Sequence, residues 1–160
     1  MIQDIQPHQY DNRYQPQPPD RNSFVLYCEE HSVLVKQTPD GITFPRFSEL
    51  ERLNEDIYDD CIYLFSIDGM RYYLAENISR EPLSEFSMEN TEIFRGAEPQ
   101  YQAFAGITGY QLYIWYRDHK YCGRCGRLLE RDRKERMLRC GECGNMGRPD
   151  HSRILSAAYR

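Results

Sequence analysis

The sequence predicts an α+β fold in which a small mixed or antiparallel sheet domain is followed by a connecting helix and a four-cysteine module. Three observations lead to this prediction. Short β-branched and aromatic runs separated by turn signals fill the first half of the chain, a segment with near-helical apolar spacing follows, and two Cys-x-x-Cys pairs lie near the end. A chain of 160 residues with 40% hydrophobic content is long enough for one ordinary domain plus a small appended module.

Residues 1–22 are predicted to form an extended or flexible arm. Four prolines lie there among glutamine, asparagine and aspartate, and proline disfavours helix and lacks a backbone donor. The arm has neither the basic start nor the apolar stretch of a secretory signal. The longest clean apolar run, residues 61–65, is far shorter than the roughly 20 residues that cross a bilayer. We therefore expect no membrane partner and a cytoplasmic location.

The sheet domain begins with a predicted meander of three strands. The β-branched and aromatic runs are residues 23–28, residues 32–37 and, after the turn signal Pro39-Asp40-Gly41, residues 42–44. A capping-box pattern then predicts that a short helix begins at Ser48, whose side chain can accept from the amide of Glu51 while Glu51 reaches back.

The strongest short-range signal is a β-hairpin. Residues 61–67 and 70–74 flank Asp68-Gly69, and a type I′ turn requires the positive φ angles that these two residue types tolerate. Residues 75–99 have no clear pattern and receive no assignment.

Residues 100–119 are predicted to form the connecting helix. The segment places five residues at near-helical spacing, and all but the glutamine are apolar or aromatic: Phe104, Ile107, Gln111, Ile114 and Trp115. Two glycines in this segment, at positions 106 and 109, should weaken the helix by about 1 kcal/mol each relative to alanine, unless close packing requires them.

The cysteine module gives the most specific functional signal. Two Cys-x-x-Cys pairs are separated by fourteen residues, and the four candidate ligands are Cys122, Cys125, Cys140 and Cys143. Two intervening residues let a tight turn aim both sulfurs at one point, and this spacing is typical of a structural zinc site. The alternatives are two disulfides or a redox-active pair, which a reducing compartment disfavours. Four sulfurs close the coordination shell, so that no position remains for a reactive water.

The rest of the module is predicted to be a two-stranded ribbon between the two knuckles. Each knuckle has the form Cys-Gly-x-Cys-Gly, and the four glycines, at positions 123, 126, 141 and 144, provide permissive backbone. The ribbon's few apolar contacts are Leu128, Leu129, Met137 and Leu138. Zinc should therefore supply most of the folding free energy, on the order of 10 kcal/mol.

Other candidate ligands are weaker. Cys28 and Cys61 lie inside apolar strands and are expected to be buried thiols. His119 precedes the first knuckle, but four cysteines already complete a tetrahedron. Two further histidines, His31 and His151, have no partner pattern, and the acidic run at residues 51–60 is more typical of a solvated face than of a divalent-ion site.

Charge is distributed unevenly along the chain. Residues 1–116 hold 8 Lys/Arg against 19 Asp/Glu, whereas residues 117–160 hold 12 against 6, for a net charge of −5. An acidic body argues against a chain devoted to wrapping nucleic acid. The basic excess can pair with the acidic body, touch phosphates, or offset the net charge near −2 of zinc with four thiolates through Arg124, Arg127 and Arg139.

Residues 111–126, QLYIWYRDHKYCGRCG, resemble the junction in bacterial NADH pyrophosphatases of the Nudix superfamily, where a helix enters a zinc ribbon. The similarity continues through the second knuckle, and the upstream strands are similar in layout to that family's degenerate Nudix-like domain. The resemblance implies an arm (1–22), a Nudix-like N-terminal domain (23–99), a connecting helix (100–119), a zinc ribbon (120–147) and a remnant of the linker or first strand of a missing catalytic domain (148–160).

The chain departs from that family after the second knuckle. The family usually continues with a Tyr-Pro pair and the first strand of the catalytic domain, but the sequence here reads GRPDHSRILSAAYR. No stretch matches the Nudix box, whose clustered glutamates bind Mg²⁺ or Mn²⁺. We therefore expect no catalytic residues in this chain, inactivity on its own, and a need for Mg or Mn only in the missing domain; no cofactor-binding residue is assigned.

The resemblance implies the non-catalytic part of an NAD(H) diphosphatase, whose parent reaction converts NADH into NMNH and AMP. The expected roles are folding, homodimerisation and support of a pocket for an NAD(H)-type substrate. The alternative is a stand-alone zinc-ribbon binding module for nucleic acid or protein, suggested by nine Lys/Arg in residues 117–139. Four acids in the same stretch dilute that charge: Asp118, Glu130, Asp132 and Glu135.

Overall fold

The computed structural model describes residues 4–79 and 85–149, so the predicted remnant of a catalytic domain lies mostly outside the described residues. The elements are β1 (Tyr10–Asp11), β2 (Phe24–Glu29), β3 (Ser32–Thr38), β4 (Gly41–Thr43), α1 (Phe47–Leu50), β5 (Cys61–Ile67), β6 (Met70–Ala75), β7 (Ser87–Asn90), a 3₁₀ helix (Thr91–Arg95), α2 (Gln100–Asp118), β8 (Glu130–Arg131), β9 (Leu138–Arg139) and β10 (Met146–Gly147). This mixture of sheet, few helices and a cysteine cluster confirms the predicted α+β class.

Two sheets organise the described residues. The larger sheet has the order β1-β5-β6-β2-β3-β4. Strand β7 lies outside this order and pairs with β3. Its neighbouring strands are antiparallel except for β2 and β6, which run parallel. The smaller sheet, with the order β10-β9-β8, belongs to the cysteine module. The predicted ribbon therefore has a third strand that its sequence pattern did not indicate.

The meander and the hairpin form as predicted. Strands β2, β3 and β4 pair in succession, and β5 and β6 flank the Asp68-Gly69 turn. Both turn residues have positive φ, 52° at Asp68 and 79° at Gly69, as a type I′ turn requires.

The larger sheet is covered on both faces. Alternate side chains of β2 point to opposite sides, so that Leu26 joins a cluster with Phe104 and Leu112 of α2, whereas Val25 joins a cluster with Phe47 of α1. The long helix α2 thus packs against one face of the sheet and continues directly into the cysteine module.

The two helical glycines are required by close packing. A Cβ atom at Gly106 would lie 2.5 Å from the ring of Phe94, and one at Gly109 would lie 2.1 Å from Cδ1 of Leu26. Gly106 therefore packs against Phe94 of the 3₁₀ helix and Gly109 against Leu26 of β2. Ile107 is only partly buried.

The start of α1 differs from the prediction. The helix begins at Phe47 after the N-cap Arg46, and the Glu49 carboxylate accepts a hydrogen bond of 3.2 Å from the Arg46 amide. Ser48 is therefore inside the helix and does not cap it. The reason is tertiary: Phe47 is fully buried against the rings of Tyr58 and Tyr73, which fixes the register of this short turn.

Two segments contain structure that the sequence did not indicate. Within residues 75–99, β7 pairs with β3, and Asn90 caps the 3₁₀ helix by accepting from the Glu92 amide at 2.9 Å. In the arm, β1 pairs with β5, and Ile5 and Tyr10 pack against the core. None of the helices within residues 4–79 and 85–149 combines the length and apolarity that a bilayer crossing needs.

Candidate metal centre

The two cysteine knuckles have the same backbone hydrogen bonds. In the first, the Cys122 amide donates to the Arg127 carbonyl at 2.6 Å and the Gly126 amide donates to the Cys122 carbonyl at 2.9 Å. In the second, the Cys140 amide donates to the Asn145 carbonyl at 2.8 Å, and the Gly144 amide returns to the Cys140 carbonyl at 3.0 Å. Each knuckle is therefore a closed turn that carries two sulfurs.

One glycine in each knuckle adopts a left-handed backbone. The φ angle is 78° at Gly126 and 73° at Gly144, directly after the second cysteine of each pair. The glycines after the first cysteines, Gly123 and Gly141, do not have positive φ. The predicted need for permissive backbone thus applies to two of the four glycines, because only the closing position turns back on the knuckle.

The four sulfurs converge on one point. All lie within 4.8 Å of one another, with Cys122 Sγ 3.6 Å from Cys143 Sγ and Cys125 Sγ 3.4 Å from Cys140 Sγ. A tetrahedral zinc ion with Zn–S bonds of about 2.3 Å separates its sulfurs by about 3.8 Å. The spacing therefore fits a single four-coordinate ion, and no two of these cysteines form a disulfide.

Backbone amides favour the thiolate form at the first cysteine of each knuckle. The amide of Cys125 lowers the pKa of Cys122 to about 6, and the amide of Cys143 lowers the pKa of Cys140. At Cys125 the amide of Arg127 has the same effect, but the adjoining sulfurs and burial outweigh it and raise the pKa to about 12. Clustered thiolates repel one another, and a divalent cation at their centre removes that repulsion.

The other candidate residues lie outside the four-sulfur group. Cys28 is buried in β2 and Cys61 is half-buried at the start of β5, where burial raises the pKa of its thiol to about 11. His119 is exposed at the end of α2, with its ring stacked on Trp115. His31 lies 3.1 Å from the Tyr110 hydroxyl. His151 falls outside the described residues.

The acidic run at residues 51–60 forms no metal cluster in the described part of the chain. Glu51 accepts a hydrogen bond of 2.6 Å from the Tyr58 hydroxyl and forms an ion pair with Arg21 at 3.0 Å. Glu55, Asp56, Asp59 and Asp60 are exposed, as expected for a solvated face.

Three arginines in and beside the module pair with nearby acids. Arg139 lies 3.8 Å from Asp132, Arg148 pairs with Glu135, and Arg117 near the end of α2 pairs with Asp118. Of the arginines predicted to offset the charge of the metal centre, Arg139 thus pairs with a carboxylate instead. These ion pairs compensate part of the module's basic excess.

Sequence reasoning missed how the ribbon attaches to the larger sheet. Met137 and Leu138 are buried as expected, but Leu128 is 64% exposed and contributes little to the ribbon's packing. Arg136, between Glu135 and Met137 in a charged stretch, is only 6% exposed and donates to the carbonyl of Leu64 in β5. No pattern in the sequence distinguishes this arginine from its exposed neighbours.

Comparison with known families identifies the module. The family model described as the NADH pyrophosphatase zinc ribbon domain matches residues 117–147. The match spans the last two residues of α2, both knuckles and all three strands of the smaller sheet. No curated protein matches the chain. This part of the chain is therefore similar to the zinc ribbon of NADH pyrophosphatases, and its four cysteines are positioned to bind a zinc ion.

Proposed function

We propose that this chain is the non-catalytic N-terminal and zinc-ribbon portion of an NAD(H) diphosphatase. The observation that carries the proposal is the convergence of four cysteine sulfurs within the segment that matches the NADH pyrophosphatase zinc ribbon. Residues 23–99 would be the Nudix-like domain, and their mixed sheet with α2 on one face is compatible with that role. The zinc would be structural.

The donor set accounts for a structural role. Cys122, Cys125, Cys140 and Cys143 would hold the ion through four thiolates, which leaves no coordination position for a substrate or a reactive water. The ribbon buries few apolar side chains of its own, so its folding depends on the metal. When bound, zinc would cross-link the two cysteine knuckles.

A wide groove beside the junction could support the substrate pocket of a parent enzyme. It has a volume of about 970 Å³ and lies between the end of α2 and the β2–β3 hairpin. Tyr113, Tyr116 and Lys120 line one wall, and Glu29 and Glu30 line the other. Aromatic faces and the cationic side chains of Arg117 and Lys120 suit a ring-bearing substrate with phosphates, whereas the acidic wall would keep phosphate groups on the α2 side.

We expect purified protein to release no AMP from NADH in the presence of Mg²⁺ or Mn²⁺. Cleavage of a pyrophosphate in this superfamily requires divalent cations held by converging carboxylates, and the described residues contain no such cluster. AMP release is followed by chromatography, with a full-length NADH pyrophosphatase as positive control. Metal-dependent release that is lost on changing the glutamates of residues 51–60 would contradict this expectation.

We further propose a homodimer. Tyr113, Ile114 and Trp115 on α2 are only partly buried, so the helix keeps exposed apolar surface after it packs against the core. Tyr121 and Leu128 of the ribbon pair across a β-bridge and are 66% and 64% exposed. Light scattering at micromolar concentration should give twice the 19.1 kDa of one chain. A mass of one chain under those conditions would refute the dimer.

The alternative function is a zinc-ribbon module that binds nucleic acid or protein. The three ion pairs of the module reduce the charge that it could offer to phosphates. A titration with labelled RNA at several salt concentrations separates the alternatives, because phosphate contacts weaken steeply as salt rises. We expect no salt-sensitive binding; micromolar affinity that falls with salt would favour the alternative.

A further inference from the structure

The loop between β8 and β9 presents a buried arginine to the larger sheet. Asp132 closes this loop, because its carboxylate accepts from the amides of Lys134 and Glu135 at 2.8 and 2.9 Å and its own amide donates to the Met137 carbonyl at 3.0 Å. Arg136 lies in the same loop, and its side chain extends from the ribbon to β5. Its position is therefore fixed by the fold of the ribbon.

Arg136 enters a pocket of aromatic rings. Its guanidinium lies 5.5 Å from the centre of the Tyr14 ring, and its other electrostatic neighbours are the hydroxyls of Tyr10, Tyr63 and Tyr116. Two nitrogens, Nε and Nη1, have no hydrogen-bond partner within the described residues. Burying a cation that has no carboxylate partner is unfavourable for folding. The two backbone carbonyls that Arg136 binds offset part of this free-energy cost.

Those two carbonyls belong to the edge of the larger sheet. Nη2 of Arg136 donates to the carbonyl of Leu64, and it also lies 3.4 Å from the carbonyl of Asn12 in the arm. Leu64 is the residue at which the pairing of β5 with β6 shifts register, between Tyr63 and Phe65. A bulged residue has no partner on the adjoining strand.

The edge of β5 is otherwise covered only in part. Strand β1 pairs only with Ser66 and Ile67, so no strand among the described residues pairs with residues 61–65 on that side. An open strand edge offers unpaired donors and acceptors to other chains. The side chain of Arg136 therefore covers part of the β5 edge that the two-residue strand β1 leaves unpaired.

We propose that Arg136 couples the metal centre to the N-terminal arm and to the edge of β5. The ribbon holds its shape only while its four cysteines bind zinc, and the ribbon in turn holds Arg136 on the carbonyls of Leu64 and Asn12. When zinc leaves, both carbonyls lose the hydrogen bond from Arg136, β1 separates from β5, and the edge of the sheet opens. The coupling rests on the zinc binding of the proposed function but concerns residues that precede the ribbon by more than fifty positions.

Hydrogen exchange measured by mass spectrometry tests the coupling on the full chain, with zinc bound and after chelation. In the unmodified protein, chelation should accelerate exchange in peptides 9–15 and 61–67 on the order of tenfold, as expected when a buried charged donor is lost. The variant Arg136→Met should show the same acceleration while zinc is still bound, and chelation should add little in those peptides. Arg133→Met, at an exposed arginine of the same loop, is the matched control and should behave like the unmodified protein.

The outcomes separate the coupling from the proposed function. If the protein contains one zinc per chain but chelation changes hydrogen exchange only in residues 117–149, the coupling is wrong and the zinc site still stands. Wild-type protection of peptides 9–15 and 61–67 in Arg136→Met also overturns it. Absence of zinc from the purified protein overturns both. The chelation comparison needs no variant, so the coupling is tested even if Arg136→Met does not fold.

Discussion

Replacing Cys140 with serine should abolish zinc binding and unfold the ribbon, while β2 and β6 stay folded. The remaining three sulfurs cannot close a tetrahedral shell, and the ribbon loses metal-binding free energy on the order of 10 kcal/mol. The central strands keep their own buried residues, including Leu26 and Tyr72, and these do not depend on the metal. Elemental analysis measures the zinc, and limited proteolysis within residues 120–147 measures the unfolding.

Cys61→Ser is the matched control for this experiment. Cys61 is a half-buried thiol outside the four-sulfur group, so this variant should retain one zinc per chain and a protected ribbon. Zinc retained at full stoichiometry by Cys140→Ser would contradict the site. Two disulfides among the four cysteines, detected by mass spectrometry of the unmodified protein, would contradict it as well.

Replacing Gly41 with alanine should destabilise the whole sheet domain by about 3 kcal/mol or more. Gly41 has φ of 128°, where an L side chain is strained, and its Cβ would lie 1.7 Å from the carbonyl oxygen of Glu98. That carbonyl also accepts a hydrogen bond of 2.6 Å from the Ile42 amide, so it cannot move away without a further loss. Thermal unfolding should show a midpoint lowered by about 6–12 °C.

Gly69→Ala separates the two causes of this loss. Gly69 also has positive φ, 79°, but a Cβ there would meet no atom within 4 Å. This variant should therefore lose only the backbone term, about 1 kcal/mol. Equal losses in Gly41→Ala and Gly69→Ala would show that the contact with Glu98 does not matter, and that the turn from β3 to β4 is free to shift away from the start of α2.

The sequence predicts the elements whose signals are local. The Asp68-Gly69 turn, the meander and the cysteine spacing depend on residues close together in the chain, and each forms in the structure. Strands β1 and β7 could not be predicted in this way, because each is held by a partner far along the chain rather than by its own pattern. The shifted start of α1 has the same cause, since the burial of Phe47 overrides the capping pattern at Ser48.

The residues of the candidate site were likewise predictable only where their signal in the sequence is local. The four sulfurs were predictable because two residues between cysteines already define a knuckle. Arg136 was not, because an arginine among charged residues is normally exposed and nothing local distinguishes the one that is buried. The glycines of α2 are an intermediate case: their cost to the helix could be predicted, but their contacts with Phe94 and Leu26 appear only in the packed structure.

The parallel pairing of β2 with β6 sets an order on folding during synthesis. β2 lies inside the sheet between β3 and β6, yet its partner β6 ends only at Ala75. A nascent chain can close the local β2–β3 hairpin once Thr38 is made, but the other edge of β2 waits until the chain has continued to Ala75, and the cover of α2 comes later still. Residues 24–28, which are buried in the folded protein, are therefore exposed to aggregation or chaperone binding during that interval of synthesis.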